Sequence, residues 1–207
     1  MKLKLRRFGR PIFESALIVF SVLLALFVNR WAEDQRIEER KEVALERIAE
    51  ELRDNQKLVQ NVLRIHQSAV VNLQKAVTND RDSLRSYLAG RRYFDSEIFT
   101  LLVDGGSFYP RAPSSTSWEA AKSTGIIAEF DYGIVDILTG TYSIQEISLT
   151  STLPLITQAF FRPIADNELD TINALLARIN ELISQEETLL WYINEALDRI
   201  EDKRSEH

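Results

Sequence analysis

The sequence predicts an all-α protein: one N-terminal transmembrane helix that continues into a long-helix bundle or antiparallel helical hairpin, with short distal helices. Three observations predict it. An uncharged apolar run follows a basic N-terminus, neither Pro nor Gly occurs between Ile12 and Gly90, and strict three-four spacing of apolar residues recurs at both ends of the remaining chain.

The anchor comes first. From Ile12 to Val28 the chain is apolar except for Glu14, Ser15 and Ser21. At about 1.5 Å per residue this run spans ~25 Å, slightly short of a hydrocarbon core of ~30 Å. Arg10 and Arg30 can extend their charged heads to water and cover the difference, and Trp31 stands where an interfacial aromatic is expected. A buried core helix would carry a polar face, and a cleaved signal peptide would end in small residues rather than Leu26-Phe27-Val28-Asn29-Arg30-Trp31. Glu14 lies in the first turn, where a carboxylate favours the helix dipole.

Charge then sets the expected direction. Lys2, Lys4, Arg6, Arg7 and Arg10 give the first eleven residues +5, so the rest of the chain carries −11 within a net charge of −6. The excess of cations beside the apolar run places residues 1–11 in the cytoplasm as a basic tail, 12–31 in the membrane as the anchor and 32–207 outside as an extracytoplasmic helical domain. The inner (cytoplasmic) membrane of a bacterium is the expected location. An acidic exterior is a poor match for a phosphate backbone, so nucleic acid is not an expected partner.

The exterior opens with a helix continuous with the anchor. Leu45, Ile48, Leu52, Asn55, Val59, Val62, His66, Ala69, Leu73 and Ala76 follow three-four spacing, and Leu169, Ile172, Leu176, Ile179, Ile183, Glu186, Leu190, Ile193, Leu197 and Ile200 repeat it near the C-terminus. Leu175, Leu182, Leu189 and Ala196 run alongside as a further row. These faces require burial against each other, against a third helix or against a second copy, and the spacing does not choose; an antiparallel pairing within the chain is simplest and returns the C-terminus toward the membrane. Between them, Gly90, the loop from Asp104 to Pro113 and Gly125 mark helix ends. Capping-box spacing over Thr116–Glu119 predicts a helix from about 117 to 124. A further helix is expected from about Glu129 to Ser148, weakened by Gly133 and Gly140, and another short one between Pro154 and Pro163.

Chemistry-bearing residues are sparse. Zero Cys removes disulfides, thiolate catalysis and the usual zinc sites, and with two His no paired-His metal motif is possible. No phosphate-cradling loop, nucleophile elbow or dinucleotide fingerprint is present, so no catalytic residue, metal or cofactor is assigned. Glu186 and His66 occupy apolar seams together with Asn55, and a polar layer that fixes helix register is the expected role, Glu186 facing Asn55, His66 or an Arg of the other helix. The most site-like stretch is the loop carrying Asp104, Phe108, Tyr109 and Arg111 ahead of Trp118. Loops of this kind carry function more often than helices do. Here the aromatics are expected to cap the distal end of the bundle, with partner or ligand binding as the alternative.

Glu14, the apolar run with Ala25-Leu26, then Asn29-Arg30-Trp31-Ala32-Glu33 and the charged helix with Glu51-Leu52-Arg53-Asp54-Asn55 resemble a family of uncharacterised bacterial single-span membrane proteins. The stretch Ser117-Trp118-Glu119-Ala120-Ala121-Lys122-Ser123-Thr124-Gly125 is similar to a second recurring segment of that family. The resemblance covers about a third of the chain and implies an anchored helical exterior, with no catalytic residues to carry over. The function expected is therefore interaction or scaffolding, through the lipid bilayer and an envelope protein partner or a homo-oligomer. A small-ligand sensor signalling through a partner is the alternative, and an envelope enzyme using carboxylates near the loop is a third.

Overall fold

The computed structural model describes residues 9–78, 83–94, 100, 102–103, 108, 111–161, 163–164 and 168–205, with the side chains of 9–12, 83–84, 161 and 168 left aside. The protein is all-α. Helix α1 runs unbroken over Gly9–Thr78 and α6 over Glu168–Ser205; between them lie α2 (Ser83–Leu88), α3 (Thr116–Thr124), a 3-10 turn (Ile126–Glu129), α4 (Tyr132–Ile147) and α5 (Leu153–Phe161). Helix α1 rises from the apolar segment and α2 packs near its far end. The chain resumes low on α1 with α3; α4 and α5 climb again, and α6 returns beside α1 in antiparallel sense.

The register of that hairpin is recorded by side chains. His66 meets Glu186, Arg53 meets Glu201 at 2.9 Å, and Arg204 lies 3.9 Å from Glu46. The long seams thus pair within one chain. All ten seam positions predicted on α1 are buried. On α6 the fully buried row is displaced: Ile172, Leu175, Ile179, Leu182, Glu186, Leu189, Ile193, Ala196 and Ile200 face inward, while Leu176, Ile183 and Leu190 are half-buried. Both rows satisfy three-four spacing, and only the neighbours decide which lies at the centre.

Two apolar clusters result. The lower one joins Leu45 to Val59 with Trp118, α4 and the Leu189–Ile200 end of α6; the upper one joins Ala69 to Ala76 with Leu102, Phe108, Ile156 and the Ile172–Leu182 end. Each fully buried Leu or Ile stabilises by about 1.5–3 kcal/mol, so the hairpin rests on this face rather than on its surface ion pairs. Those pairs, such as Arg47–Glu50 and Arg178–Glu181, join residues one turn apart on exposed helix faces.

Element boundaries differ from expectation at α4, which starts at Tyr132 rather than near Glu129. Gly125, at φ +74°, ends α3 with its N–H on the Lys122 carbonyl, and the chain first makes a 3-10 turn. Asp131 then caps α4 through the Gly133 N–H at 2.8 Å. Pro154 lacks the N–H that a continuing helix requires, and the backbone widens into a π-turn over Ser148–Thr152 just ahead of it.

Gly140 is required by a contact rather than by a turn. A Cβ there would lie 2.5 Å from the Tyr192 ring of α6. Gly140→Val is expected to lower stability by about 1–2 kcal/mol in urea unfolding, overpacking outweighing the gain in helix propensity. Tyr192→Ala in the same chain should remove most of the added penalty. Additive losses would show that the ring is not what excludes a side chain at 140.

Helix α1 is long and apolar enough to cross a membrane near its N-terminus, and none of that stretch is buried by the rest of the chain. Arg30 and Trp31 at its end are exposed. The Arg10 side chain and the basic residues before it lie outside the described residues.

Candidate functional site

Three polar residues of α1 that interrupt its apolar face share one task. Asn72 donates to the Leu102 carbonyl at 3.2 Å, His66 Nε2 to the Phe108 carbonyl at 2.9 Å, and Asn55 Nδ2 to the Ser114 carbonyl at 2.7 Å. From residue 72 to 55 α1 descends ~25 Å, and residues 102, 108 and 114 lie beside it in that order. No strand is present among the described residues, and Phe108 and Ser114 lie outside any helix, so their carbonyls need donors elsewhere. The α1 side chains do this.

The Phe108 and Ser114 carbonyls thus lie along the flank of α1, at the levels of His66 and Asn55, and not together at the distal end. Phe108 joins the upper core, its ring tilted by 41° against His66 at 4.3 Å and edge-on to Phe160 at 5.8 Å. Trp118 belongs to the lower core, parallel to Tyr142 at 5.4 Å. The two aromatics do not meet. Arg111 is exposed above a shallow polar cleft with Arg47, Glu50 and Asp54. Asp104 and Tyr109 lie outside the described residues.

The lower clamp is the more densely bonded. Asn55 Oδ1 accepts from the Ser114 N–H at 2.8 Å, completing a two-way pairing with that residue's backbone, and the Asn55 amide also reaches Gln145 Oε1. Gln145 Nε2 donates to the Pro113 and Ser114 carbonyls. Glu51, one turn below Asn55, accepts from the Ser114 hydroxyl at 2.7 Å, the Ser117 N–H at 2.9 Å and the Tyr142 hydroxyl at 2.8 Å. Burial, followed by the facing Glu51 carboxylate, pushes the Tyr142 phenol well above its ordinary range, so it stays a donor. Glu51, Tyr142 and Gln145 escaped sequence reasoning: Glu51 reads as one of many surface carboxylates, and the α4 face bearing the other two has no meaning until α4 is docked.

The upper clamp is a histidine–carboxyl pair inside the core. His66 and Glu186 are 0% and 2% exposed. Glu186 Oε2 stands 3.0 Å from Nδ1; Oε1, though 2.9 Å from the same atom, is misaligned and has no hydrogen-bond partner among the described residues. The Phe108 carbonyl can only accept, so Nε2 must carry a proton, and the Nδ1 to Glu186 contact needs a second proton on one side or the other. The pair is neutral overall in either arrangement. Of the partners that the seam positions left open, Glu186 faces His66, and Asn55 is committed to Ser114.

Burial lifts the Glu186 carboxyl above the usual range, against the hydrogen bond and charge of His66, which pull it down. A carboxyl whose folded pKa is raised adds stability that is complete below its unfolded value of 4.5 and fades as pH rises through the folded value. Relative to Glu186→Gln, the native chain should lose stability as pH climbs from about 4, levelling once Glu186 is ionised. Urea unfolding at a series of pH values reads this directly; a native-minus-variant difference that does not vary with pH would contradict it.

Between α3 and α4 lies a cleft of about 550 Å³ bordered by Trp118, Lys122, Tyr142, Ser143 and Glu146. Its floor is the Trp118–Tyr142 stack, with the Lys122 ammonium 5.7 Å from the indole centroid. Comparison with known proteins finds no protein family, no curated protein and no solved structure that matches this chain.

Proposed function

We propose that the protein is a membrane-tethered interaction or scaffold protein of the bacterial cytoplasmic membrane, with a short basic tail inside and the helical exterior outside. The observation that carries this reading is the division of α1. Its first part is apolar, exposed on every side and flanked by Arg30 and Trp31; its second part, from Leu45, is the spine of a packed domain. An apolar helix left uncovered in water is strongly disfavoured, and lipid is the environment that covers it. The cation excess before the segment supports the orientation. Membership in the single-span family suggested by the Asn29–Glu33 stretch fits the same reading.

The interaction half rests on how the polar residues are used. His66, Glu186, Asn55, Glu51 and Gln145 are consumed in holding the chain's own segment, which points to a rigid presenting surface more than to a reaction centre. Photocrosslinkers at exposed Arg111, Tyr132 and Trp191 of the full chain in cells are expected to give a reproducible protein adduct, and the protein should stay in the membrane pellet after carbonate extraction. Release into the supernatant would refute the tether; absence of any adduct would refute the interaction role.

A small-ligand sensor is the second reading, favoured by the cleft between α3 and α4, whose volume falls in the range of small-molecule sites. A ligand that raises the unfolding temperature, with the gain lost in Lys122→Ala, would favour it.

A further inference from the structure

At the base of the exterior, α1 and α3 leave an open groove of about 760 Å³ between them. Arg40, Val43 and Arg47 stand on the α1 side and Ser117, Ala120 and Thr124 on the α3 side. Val43 is 52% exposed, an apolar side chain that the described residues leave largely open. On each wall the lining recurs three or four residues apart over about two turns, and the α3 wall is built of small residues, so a further helix can lie against both walls along the direction of α1. That is the direction in which α1 leaves the membrane.

The same face of α1 continues downward. Because the helix is unbroken, Ala25, eighteen residues below Val43, is displaced by about five full turns at ~3.6 residues per turn and points the same way. Ser21 and Ala32 fall within roughly 40° of that direction. The Ser21 hydroxyl donates to the Leu17 carbonyl at 2.8 Å, which satisfies its polarity inside the helix. In lipid, small residues on one face allow helix backbones to approach closely. The face that is open in the groove is therefore also the face that admits a neighbour in the membrane.

Resting on the membrane tether proposed above, we infer that this neighbour is a second copy of the chain. Two copies pack side by side through α1, with Ser21, Ala25 and Ala32 in contact and the Arg40–Arg47 turn pair of each seated in the other's groove. Height selects this occupant. Val43 stands ~22 Å above Val28, and a copy anchored in the same bilayer presents its own α1 there, parallel and at equal height. Charge agrees: Glu39 and Arg40 are adjacent on this wall, so a two-fold axis along the membrane normal sets each carboxylate near the other copy's guanidinium.

The chain has no Cys, so a single introduced cysteine reports alone. Ala25→Cys and Val43→Cys lie on the proposed face; Leu23→Cys and Asp34→Cys lie on the opposite one. On oxidation of full-length protein in native membranes, disulfide-linked dimer is expected to be about tenfold more abundant for the first two, since a disulfide needs Cα atoms within ~7 Å. Ala120→Leu, which fills the groove from an exposed position without touching the core, should shift the native dimer toward monomer in mild detergent. Equal crosslinking on both faces, a monomeric native chain, or adducts at Val43→Cys with a different protein would each overturn the interface. Carbonate extraction of the same membranes separates the failures: a monomer that stays in the pellet refutes only this interface, whereas a soluble protein refutes the tether beneath it.

Discussion

His66→Ala is expected to destabilise the exterior by about 3–5 kcal/mol, because it leaves the Glu186 carboxyl buried without its partner. The Phe108 carbonyl loses its donor in the same step, and the imidazole leaves a hole against the Phe108 ring. The double substitution His66→Leu with Glu186→Met should recover most of the loss, since a buried pair replaced by apolar groups of similar size is often neutral or better. Urea unfolding of the full chain in mild detergent, followed by circular dichroism, measures both. If the double variant is as unstable as the single one, the penalty is not that of an orphaned charge.

The second large effect is expected at Asn55. Asn55→Leu removes both hydrogen bonds to the Ser114 backbone, and at about 1–3 kcal/mol for each orphaned group, with Gln145 still serving the carbonyl, the loss should be on the order of 2–4 kcal/mol. The change should also be local. The Ser114 amide is expected to exchange with solvent far faster, while amides of α6 slow or quicken only with global stability. Asn55→Asp keeps an acceptor for the Ser114 N–H and should protect that amide better than Leu does. Uniform loss of protection across the bundle would argue against a clamp.

Both predictions rest on residues that the sequence marks as exceptions and whose purpose it does not state. Asn55, His66 and Glu186 stand out because they break an otherwise apolar rhythm. That His66 faces Glu186 follows from the antiparallel register, which residue spacing leaves free. That Asn55 serves Ser114 follows from where the chain places Ser114 beside α1, and no periodic signal describes a non-helical residue laid beside a helix. The same limit explains the misplaced aromatic cap. Phe108 and Trp118 are ten residues apart in a stretch with Gly and Pro, which reads as one compact loop, but each ring enters a different cluster.

The choice of central row on α6 is a related case. Leu176, Ile183 and Leu190 satisfy three-four spacing as well as Leu175, Leu182 and Leu189 do, because the helix is apolar over more than a narrow seam. Only the position of its neighbours turns one row fully inward.

By itself the sequence determined what depends on periodicity and on local stops: an apolar helix suited to a bilayer, its unbroken continuation, a second long helix, breaks at Gly90 and Gly125, and a helix perturbed ahead of Pro154. These are properties of neighbours along the chain, where 3.6-residue repetition and the missing N–H of proline act directly. Tertiary structure alone decided that the two seams close on each other within one chain, which polar residues meet inside them, and that Glu51 and Gln145 converge on Ser114 while Tyr142 holds Glu51. Those contacts join residues from 31 to at least 148 positions apart, and each is settled by which surfaces exclude water together and by the need of every buried polar group for a partner.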